Sequence, residues 1–278
     1  MILKLIRAYP FYKGRGWFVF LNIIQKYLKT LPSQLCVLLY DGQIIFINPH
    51  EYIGAMIYFF GDLDPKISWC IKKILKKGDL FVDVGANCGI ETIPASKIVK
   101  QDGVVHAFEP NSNCLNMLKN SLHNNHSENV HLHNCAVTDV VGLINLRVPS
   151  NNSGSGVVSI DSTLSSQAVE AVTLDSLDEL KGRNIKLLKI DVEGHEYQVL
   201  KGAQRIFTEN KPENVLIEIW FNPDIPFNEL PTTKFLLKHG YKAYQLIRQF
   251  GVFPMFKEVV GNNINQSSFD YCFMAKKQ

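Results

Sequence analysis

The sequence lacks the cysteine and histidine spacings that hold metal ions or disulfide bonds. Its six cysteines are dispersed and form no C-x-x-C pair, which argues against a zinc site and against a disulfide scaffold. His131 and His133 alternate on one predicted strand, but no third ligand stands near them in the sequence. We therefore expect no metal site, and the cysteine usage is compatible with reduced thiols in a cytoplasmic protein.

Long apolar runs and a strong excess of charge are also missing. The N-terminal stretch GWFVFLNII is far shorter than the roughly 20 apolar residues of a membrane span, and no small-residue cleavage site follows it. The formal net charge is only +3, and no Arg/Lys patch with interleaved aromatic residues occurs. These features give no reason to expect a nucleic-acid partner.

The same N-terminal stretch predicts a helix that is apolar over a wide face. Basic residues flank it, namely Lys13, Arg15, Lys26 and Lys29. Such a helix either packs on the main domain or makes peripheral contact with a membrane surface, and both interpretations stay open here.

The rest of the chain alternates between predicted strands and helices. Asp41-Gly42 lies between two β-prone runs and predicts a hairpin, and a helix follows from Asp64-Pro65. Apolar strands with polar ends then alternate with helices, which predicts an α/β fold with an open, mainly parallel sheet and helices on both faces. We place an N-terminal helix and hairpin extension at residues 1–62 and the main domain at 63–278.

The segment at 149–168 interrupts this alternation, because Asn, Ser and Gly dominate it. It is either a surface loop or a lid that orders over a substrate.

The turn VDVGANCGIET, at Val82–Thr92, follows the first strand of the alternating region. It lacks the third glycine of a dinucleotide fingerprint and the lysine of a phosphate-binding loop. Asp83 precedes the turn and would repel a pyrophosphate, and Glu109 ends the next strand, where a carboxylate can accept hydrogen bonds from ribose hydroxyls. A ligand with a ribose, a positive charge and no phosphate fits these residues, and S-adenosylmethionine has all three properties.

Several motifs of the chain, taken together, resemble those of one known protein family. In chain order they are GDLFVDVGANCGIETIPASKIV, GVVHAFEPN, NCAVTD, VTLDSL, LLKIDVEGHEYQVLKGA and VLIEIW. The chain resembles the FkbM-type family of S-adenosylmethionine-dependent methyltransferases. The resemblance implies a Rossmann-like sheet of seven strands with an antiparallel last strand, and O-methylation of hydroxyls on sugars, glycoconjugates or small metabolites. It places the ribose on Glu109, the adenine beside Asn134 to Ala136, and the rest of the cofactor on Asp83, Gly85, Ala86, Asn87, Gly89 and Thr92.

Candidate catalytic residues lie in the motif KIDVEGHE, where a predicted strand opens into its helix. An alcohol needs a base to accept its proton as the new bond forms. His195 and Asp191 are the candidate bases, and Glu193 is a candidate orienting group. Glu218 and Trp220, at the end of the next strand, are candidates for contact with a small-molecule or saccharide acceptor. Asp191, Glu193 and Glu218 could instead supply oxygen ligands to a magnesium ion, but they show no fixed metal-ligand spacing, so we do not predict a metal there.

Two alternative functions remain at this point. A nicotinamide-dependent oxidoreductase shares the sheet and the acid on the second strand, but its glycine fingerprint is broken here. A methyltransferase fold can also serve as a non-catalytic scaffold subunit, which only a turnover assay distinguishes from an enzyme.

Overall fold

The computed structural model describes residues 18–19, 21–147, 157–158, 167–220, 224–261, 263–264 and 269–276. The helices are α1 (Asn22–Leu28), α2 (Tyr52–Phe60), α3 (Pro65–Ile74), α4 (Thr92–Val99), α5 (Ser112–Asn124), α6 (Glu196–Lys201), α7 (Gln204–Glu209) and α8 (Pro231–Lys238). The strands are β1 (Leu35–Leu38), β2 (Ile44–Ile47), β3 (Leu80–Val84), β4 (Val104–Phe108), β5 (Val130–His133), β6 (Ala136–Val137), β7 (Gly142–Arg147), β8 (Val157–Val158), β9 (Gln167–Val172), β10 (Ile185–Ile190), β11 (Asn214–Glu218), β12 (Tyr241–Gln249), β13 (Phe253–Glu258) and β14 (Asp270–Ala275).

The main sheet has the spatial order β13-β12-β14-β11-β10-β3-β4-β5. The five strands from β11 to β5 pair in parallel, and β14 lies antiparallel between β11 and β12. The α/β class and the antiparallel last strand are therefore confirmed. The described part of this sheet holds eight strands, one more than the seven that the resemblance implied.

The additional strand is β13, which pairs antiparallel with β12 at the edge of the sheet. It carries Pro254, and its side chains show no continuous buried run. Proline is tolerated at sheet edges, and a half-exposed edge strand has a weak sequence pattern. Both properties explain why the sequence did not predict β13.

The segment from Val130 to Val137 is divided between two sheets. β5 pairs with β4 in the main sheet, whereas β6 pairs with β9 in a second, four-stranded sheet of order β6-β9-β7-β8. The chain therefore leaves the main sheet at Asn134 and Cys135, beside the carboxyl end of β5.

Neighbouring residues of β3 illustrate how the main sheet is covered on both faces. Val82 belongs to an apolar cluster with Leu200 of α6. Phe81 belongs to a cluster on the opposite face with Ile71 and Val99, from α3 and α4. Each of these five side chains is at most 2% exposed, so the alternation along the strand buries both faces.

The predicted hairpin forms β1 and β2 and contacts the main domain. The backbone N–H of Phe46 donates to Ser121 Oγ at 2.9 Å, and Gln43 Nε2 donates to the carbonyl of Ile93 at 2.9 Å. Leu28 of α1 is 1% exposed within the cluster that the hairpin shares with α4 and α5. The described part of the N-terminal helix is thus packed on the main domain, while the domain boundary at residue 62 stays a prediction. None of the described helices has the length and apolar character needed to cross a membrane.

Candidate active site

A cavity of about 690 Å³ opens at the carboxyl ends of the parallel strands. Its lining includes Gly85 and Asn87 after β3, Glu109 after β4, Asp191 after β10, and Glu218 at the end of β11. In open parallel sheets this edge is where ligands bind. The cavity is large enough for a nucleoside-sized ligand together with a second small molecule.

The glycine turn after β3 requires backbone conformations that favour glycine. Gly85 has φ 83° and Asn87 has φ 51°. A Cβ atom at Gly85 would lie 1.9 Å from the carbonyl oxygen of Asp191, so the turn passes directly against the loop after β10. Only glycine permits this approach, and the approach brings two parts of the cavity lining into contact.

Glu109 fixes the glycine turn to the end of β4. Its Oε2 accepts the backbone N–H of Asn87 at 2.8 Å, and its Oε1 accepts the N–H of Asn111 at 2.7 Å. Burial raises the pKa of this carboxyl to about 7, and the two backbone hydrogen bonds act in the opposite direction. Each oxygen keeps a second lone pair, so the carboxylate can still accept hydrogen bonds from a ribose.

A buried lysine that the sequence did not single out is part of the cavity lining. Lys189, on β10, is 3% exposed and stands opposite Asp83 on the neighbouring strand β3. Its Nζ donates to the carbonyl of Gly85 at 2.7 Å and lies 3.1 Å from Asp83 Oδ1, as an ion pair without hydrogen-bond alignment. The Asp191 carboxylate is 3.6 Å away. Burial alone would lower the pKa of Lys189, but the surrounding carboxylates raise it, so the ammonium stays charged.

Asp83 does not line the cavity and is 0% exposed. Its Oδ2 accepts the hydroxyl hydrogen of Thr92 at 2.6 Å. Asp83 and Thr92 were predicted to contact the cofactor. The structure gives them a different position, in which they support the glycine turn from beneath together with Lys189.

The loop after β10 turns sharply before α6. Glu193 has φ 52° and Gly194 has φ 90°. Glu196, the first residue of α6, accepts the backbone N–H of Gly194 at 2.9 Å. This turn places Asp191, Glu193 and His195 in the lining of the same cavity, as the sequence predicted.

His195 is oriented by a chain of hydrogen bonds. Its Nε2 lies 2.8 Å from Thr138 Oγ1, and the Thr138 hydroxyl donates to Asp139 Oδ1 at 3.1 Å. Asp139 in turn pairs with Lys201. Because the Thr138 hydrogen is directed to Asp139, the hydroxyl oxygen accepts from Nε2–H, and Nδ1 keeps its lone pair. Burial lowers the pKa of His195, which favours the neutral ring at pH 7.

Two further acids of the cavity are largely protonated at neutral pH. Burial raises the pKa of Glu91 to about 8 and that of Glu218 to about 8. Glu91 was not among the predicted site residues, and the structure places it in the cavity lining. Glu218 was predicted as an acceptor contact, and it faces Asp270 of β14 in the sheet register. An ion-pair group of Asp64, Lys66 and Asp270 completes this side of the cavity.

The remaining predicted residues divide into two groups. Ala136 and Trp220 line the cavity, and the Trp220 ring is 55% exposed and stacks on Phe269 with 4.9 Å between ring centroids. Ala86, Gly89 and Asn134 are not part of the lining. The predicted lid at 149–168 lies mostly outside the described residues.

Fold and cavity together define the class of protein. The sheet is mainly parallel, and β14 lies antiparallel between β11 and β12. The cavity is of nucleoside size and has no phosphate-binding loop. These features are typical of a Rossmann-like methyltransferase. A sequence model of the Methyltransferase FkbM domain matches residues 83–243, more than half of the chain. The chain belongs to this family of S-adenosylmethionine-dependent methyltransferases, and S-adenosylmethionine is its cofactor.

Comparisons with other proteins add little beyond the family. No curated protein matches the sequence. A SAM-dependent O-methyltransferase from Thermotoga maritima is 13% identical with a TM-score of 0.42, and the match covers 92% of this chain and 82% of that one. Precorrin-6y C5,15-methyltransferase from Geobacter metallireducens is 15% identical with a TM-score of 0.42, over 76% of this chain and 89% of that one. TYW2 from M. jannaschii, in complex with AdoMet, is 13% identical with a TM-score of 0.43, over 88% of both chains. At these scores we draw nothing further from the three structures.

Proposed function

We propose that the chain transfers the methyl group of S-adenosylmethionine to a hydroxyl of a sugar, a glycoconjugate or a small metabolite. The observation that carries this proposal is His195, a neutral imidazole whose tautomer is set by Thr138 and Asp139, in the lining of the cofactor cavity. An oxygen nucleophile needs such a base, because an alcohol does not lose its proton unaided at neutral pH.

The cofactor would bind at the end of the cavity formed by β3, β4 and β5. The ribose hydroxyls would donate to Glu109, and the adenine would lie beside the segment from Asn134 to Ala136. The tight turn at Gly85 holds this end of the cavity against the loop after β10. Bound there, the cofactor supplies an electrophilic methyl group on a cationic sulfonium, and the acidic lining around Asp191 suits that positive charge.

His195 would act as the general base through Nδ1, and the chain to Thr138 and Asp139 would stabilise the imidazolium that forms. Asp191 faces the Lys189 ammonium at 3.6 Å, so we assign Asp191 and Glu193 to positioning. The base and the acceptor oxygen must be aligned with the methyl group, since the transfer is an in-line displacement.

The acceptor would bind on the side of the cavity that carries Glu218 and Trp220, at the end of β11. A protonated carboxyl both donates and accepts hydrogen bonds, which matches the hydroxyls of a saccharide. Trp220 offers an exposed ring face at the cavity lining, against which the apolar face of a sugar ring can pack. These features support a polyhydroxylated acceptor over an apolar one.

The N-terminal region supports a second, separate proposal of peripheral membrane contact. Ile23 is 74% exposed and Tyr27 is 45% exposed on α1, and Lys26 and Lys29 are exposed beside them. Sedimentation with anionic phospholipid vesicles tests this contact. We expect binding that the variant K26E/K29E loses, and equal sedimentation of both proteins would contradict the proposal.

Methyl-labelled S-adenosylmethionine and a panel of monosaccharides, glycans and glycolipid extracts test the main proposal. We expect label on an oxygen of a saccharide product, identified by mass spectrometry and NMR. Label on nitrogen or carbon would contradict the O-directed assignment. Binding of the cofactor without turnover on any acceptor would favour the scaffold alternative, while the oxidoreductase alternative has no support now that the family is known.

A further inference from the structure

Three potential metal ligands meet at the edge of the main sheet, outside the cavity lining. His106 on β4 and His133 on β5 lie on adjacent parallel strands, and Glu179 lies in the 3₁₀ turn Asp178–Leu180. One ligand atom from each residue lies within 4.8 Å of the other two. The methyl-transfer chemistry proposed above uses none of them.

The two imidazole nitrogens lie close to the separation of two ligands of one metal ion. His106 Nδ1 and His133 Nε2 form a hydrogen bond at 3.0 Å, and His133 Nε2 is 3.9 Å from Glu179 Oε1. In a tetrahedral zinc site with bonds of about 2.0–2.1 Å, two ligand atoms lie about 3.3 Å apart. The two distances in the cluster, 3.0 Å and 3.9 Å, lie on either side of this value. The Glu179 side chain is 45% exposed, so its carboxylate can move closer to His133.

The ring nitrogens point at each other because their surroundings hold the rings. His106 is 3% exposed, and its ring stacks on His131 with 5.0 Å between centroids. The His133 ring stacks on Phe108 at 4.3 Å. Leu180, next to Glu179, is 1% exposed and anchors the turn in the core. A metal ion would replace the hydrogen bond between the two rings, because the lone pairs of both nitrogens must converge on the ion.

We propose that His106, His133 and Glu179 bind one divalent transition-metal ion of the zinc type, with water in the fourth position. Two imidazoles and one carboxylate suit zinc and its neighbours, whereas magnesium and calcium prefer sites made only of oxygen ligands. The ion would tie β4 and β5 to the turn before β10. β5 leads directly into the segment from Asn134 to Ala136, so the ion would steady the strand end that borders the cofactor cavity.

Zinc titration of the full chain, stripped with a chelator, tests the proposal by calorimetry. A C36S background removes the exposed thiol of Cys36 as a competing ligand. We expect one zinc ion per chain, a raised melting temperature with zinc, and a Co²⁺ spectrum without thiolate charge-transfer bands. His133 and Glu179 are partly exposed, so H133A and E179A should remain folded.

H133A should lower the zinc affinity by about 100-fold or more, since even outer-shell partners of metal sites contribute 10–100-fold. H123A, which removes an exposed histidine of α5, is the matched control and should bind zinc like the parent chain. Equal zinc binding by the parent chain and H133A would overturn the proposal. So would a matching loss in H123A.

Discussion

Replacement of Lys189 by methionine tests the buried ion pair between Lys189, in the cavity lining, and Asp83 behind it. The ammonium of Lys189 is the ion-pair partner of Asp83, whose carboxylate is fully buried and otherwise bonded to the Thr92 hydroxyl. K189M keeps the volume and removes the charge, so Asp83 becomes a buried carboxylate that has lost this counterion. Breaking one partner out of a buried ion pair costs about 3–5 kcal/mol.

We expect K189M to lose about that much free energy of unfolding at pH 7, measured by urea denaturation. The melting temperature should fall by on the order of 10 °C, since 1 kcal/mol corresponds to roughly 2–4 °C in chains of this size class. K186M is the matched control on the same strand, because Lys186 pairs with Glu213 at 2.6 Å on the surface. Such an exposed pair contributes about 0–1 kcal/mol.

The double variant D83N/K189M separates charge from shape. The amide that D83N introduces carries no charge and needs no counterion, so the double variant should be more stable than K189M by at least about 1 kcal/mol, within the usual range for directly coupled residues. If K189M is as stable as K186M, or if D83N/K189M is no more stable than K189M, the proposed role of the Lys189 ammonium is wrong.

Three further predictions concern the cavity. G85A should abolish cofactor binding and destabilise the fold by more than G182A, because both glycines have positive φ but, of the two, only Gly85 lies against a backbone oxygen. Calorimetry measures the cofactor binding and urea denaturation the stability. Equal effects of the two variants would contradict this prediction. E109Q should weaken S-adenosylmethionine binding by roughly 10–100-fold, as expected for a lost hydrogen bond to a charged group, whereas E128Q, at an exposed position, should not change it. On acidification, the fall in kcat that His195 causes should begin only below the ordinary histidine pKa of about 6.5, because burial lowers the pKa of His195. H195Q should lower kcat by about 10²–10⁴ and remove this step from the pH profile. A pH profile of H195Q that keeps the same acid step would exclude His195 as the base.

The sheet and the position of the site could be predicted because buried parallel strands have a strong sequence signal. Apolar runs such as LFVDV and IKLLKI lead into segments with polar residues, and the carboxyl ends of parallel strands lie at one edge. Glu109, Asp191 and His195 therefore reach one cavity, as predicted.

Single polar residues inside these runs were harder to interpret. Lys189 and Asp83 lie on strands that are far apart in the sequence, and only the register of β3 against β10 shows that they face each other. The same holds for Glu179, which is distant from His106 and His133 along the chain. The sequence also shows no third ligand near the two histidines, because that ligand comes from a turn that follows the second sheet.

The position of S-adenosylhomocysteine in a crystal structure of the wild-type chain is the most direct test of the proposed site. We predict ribose hydroxyls within hydrogen-bond distance of Glu109, the adenine beside Ala136, and the sulfur on the side of the cavity that carries Asp191 and His195. Binding in another cavity, or a ribose that makes no contact with Glu109, would contradict the assignment of this site.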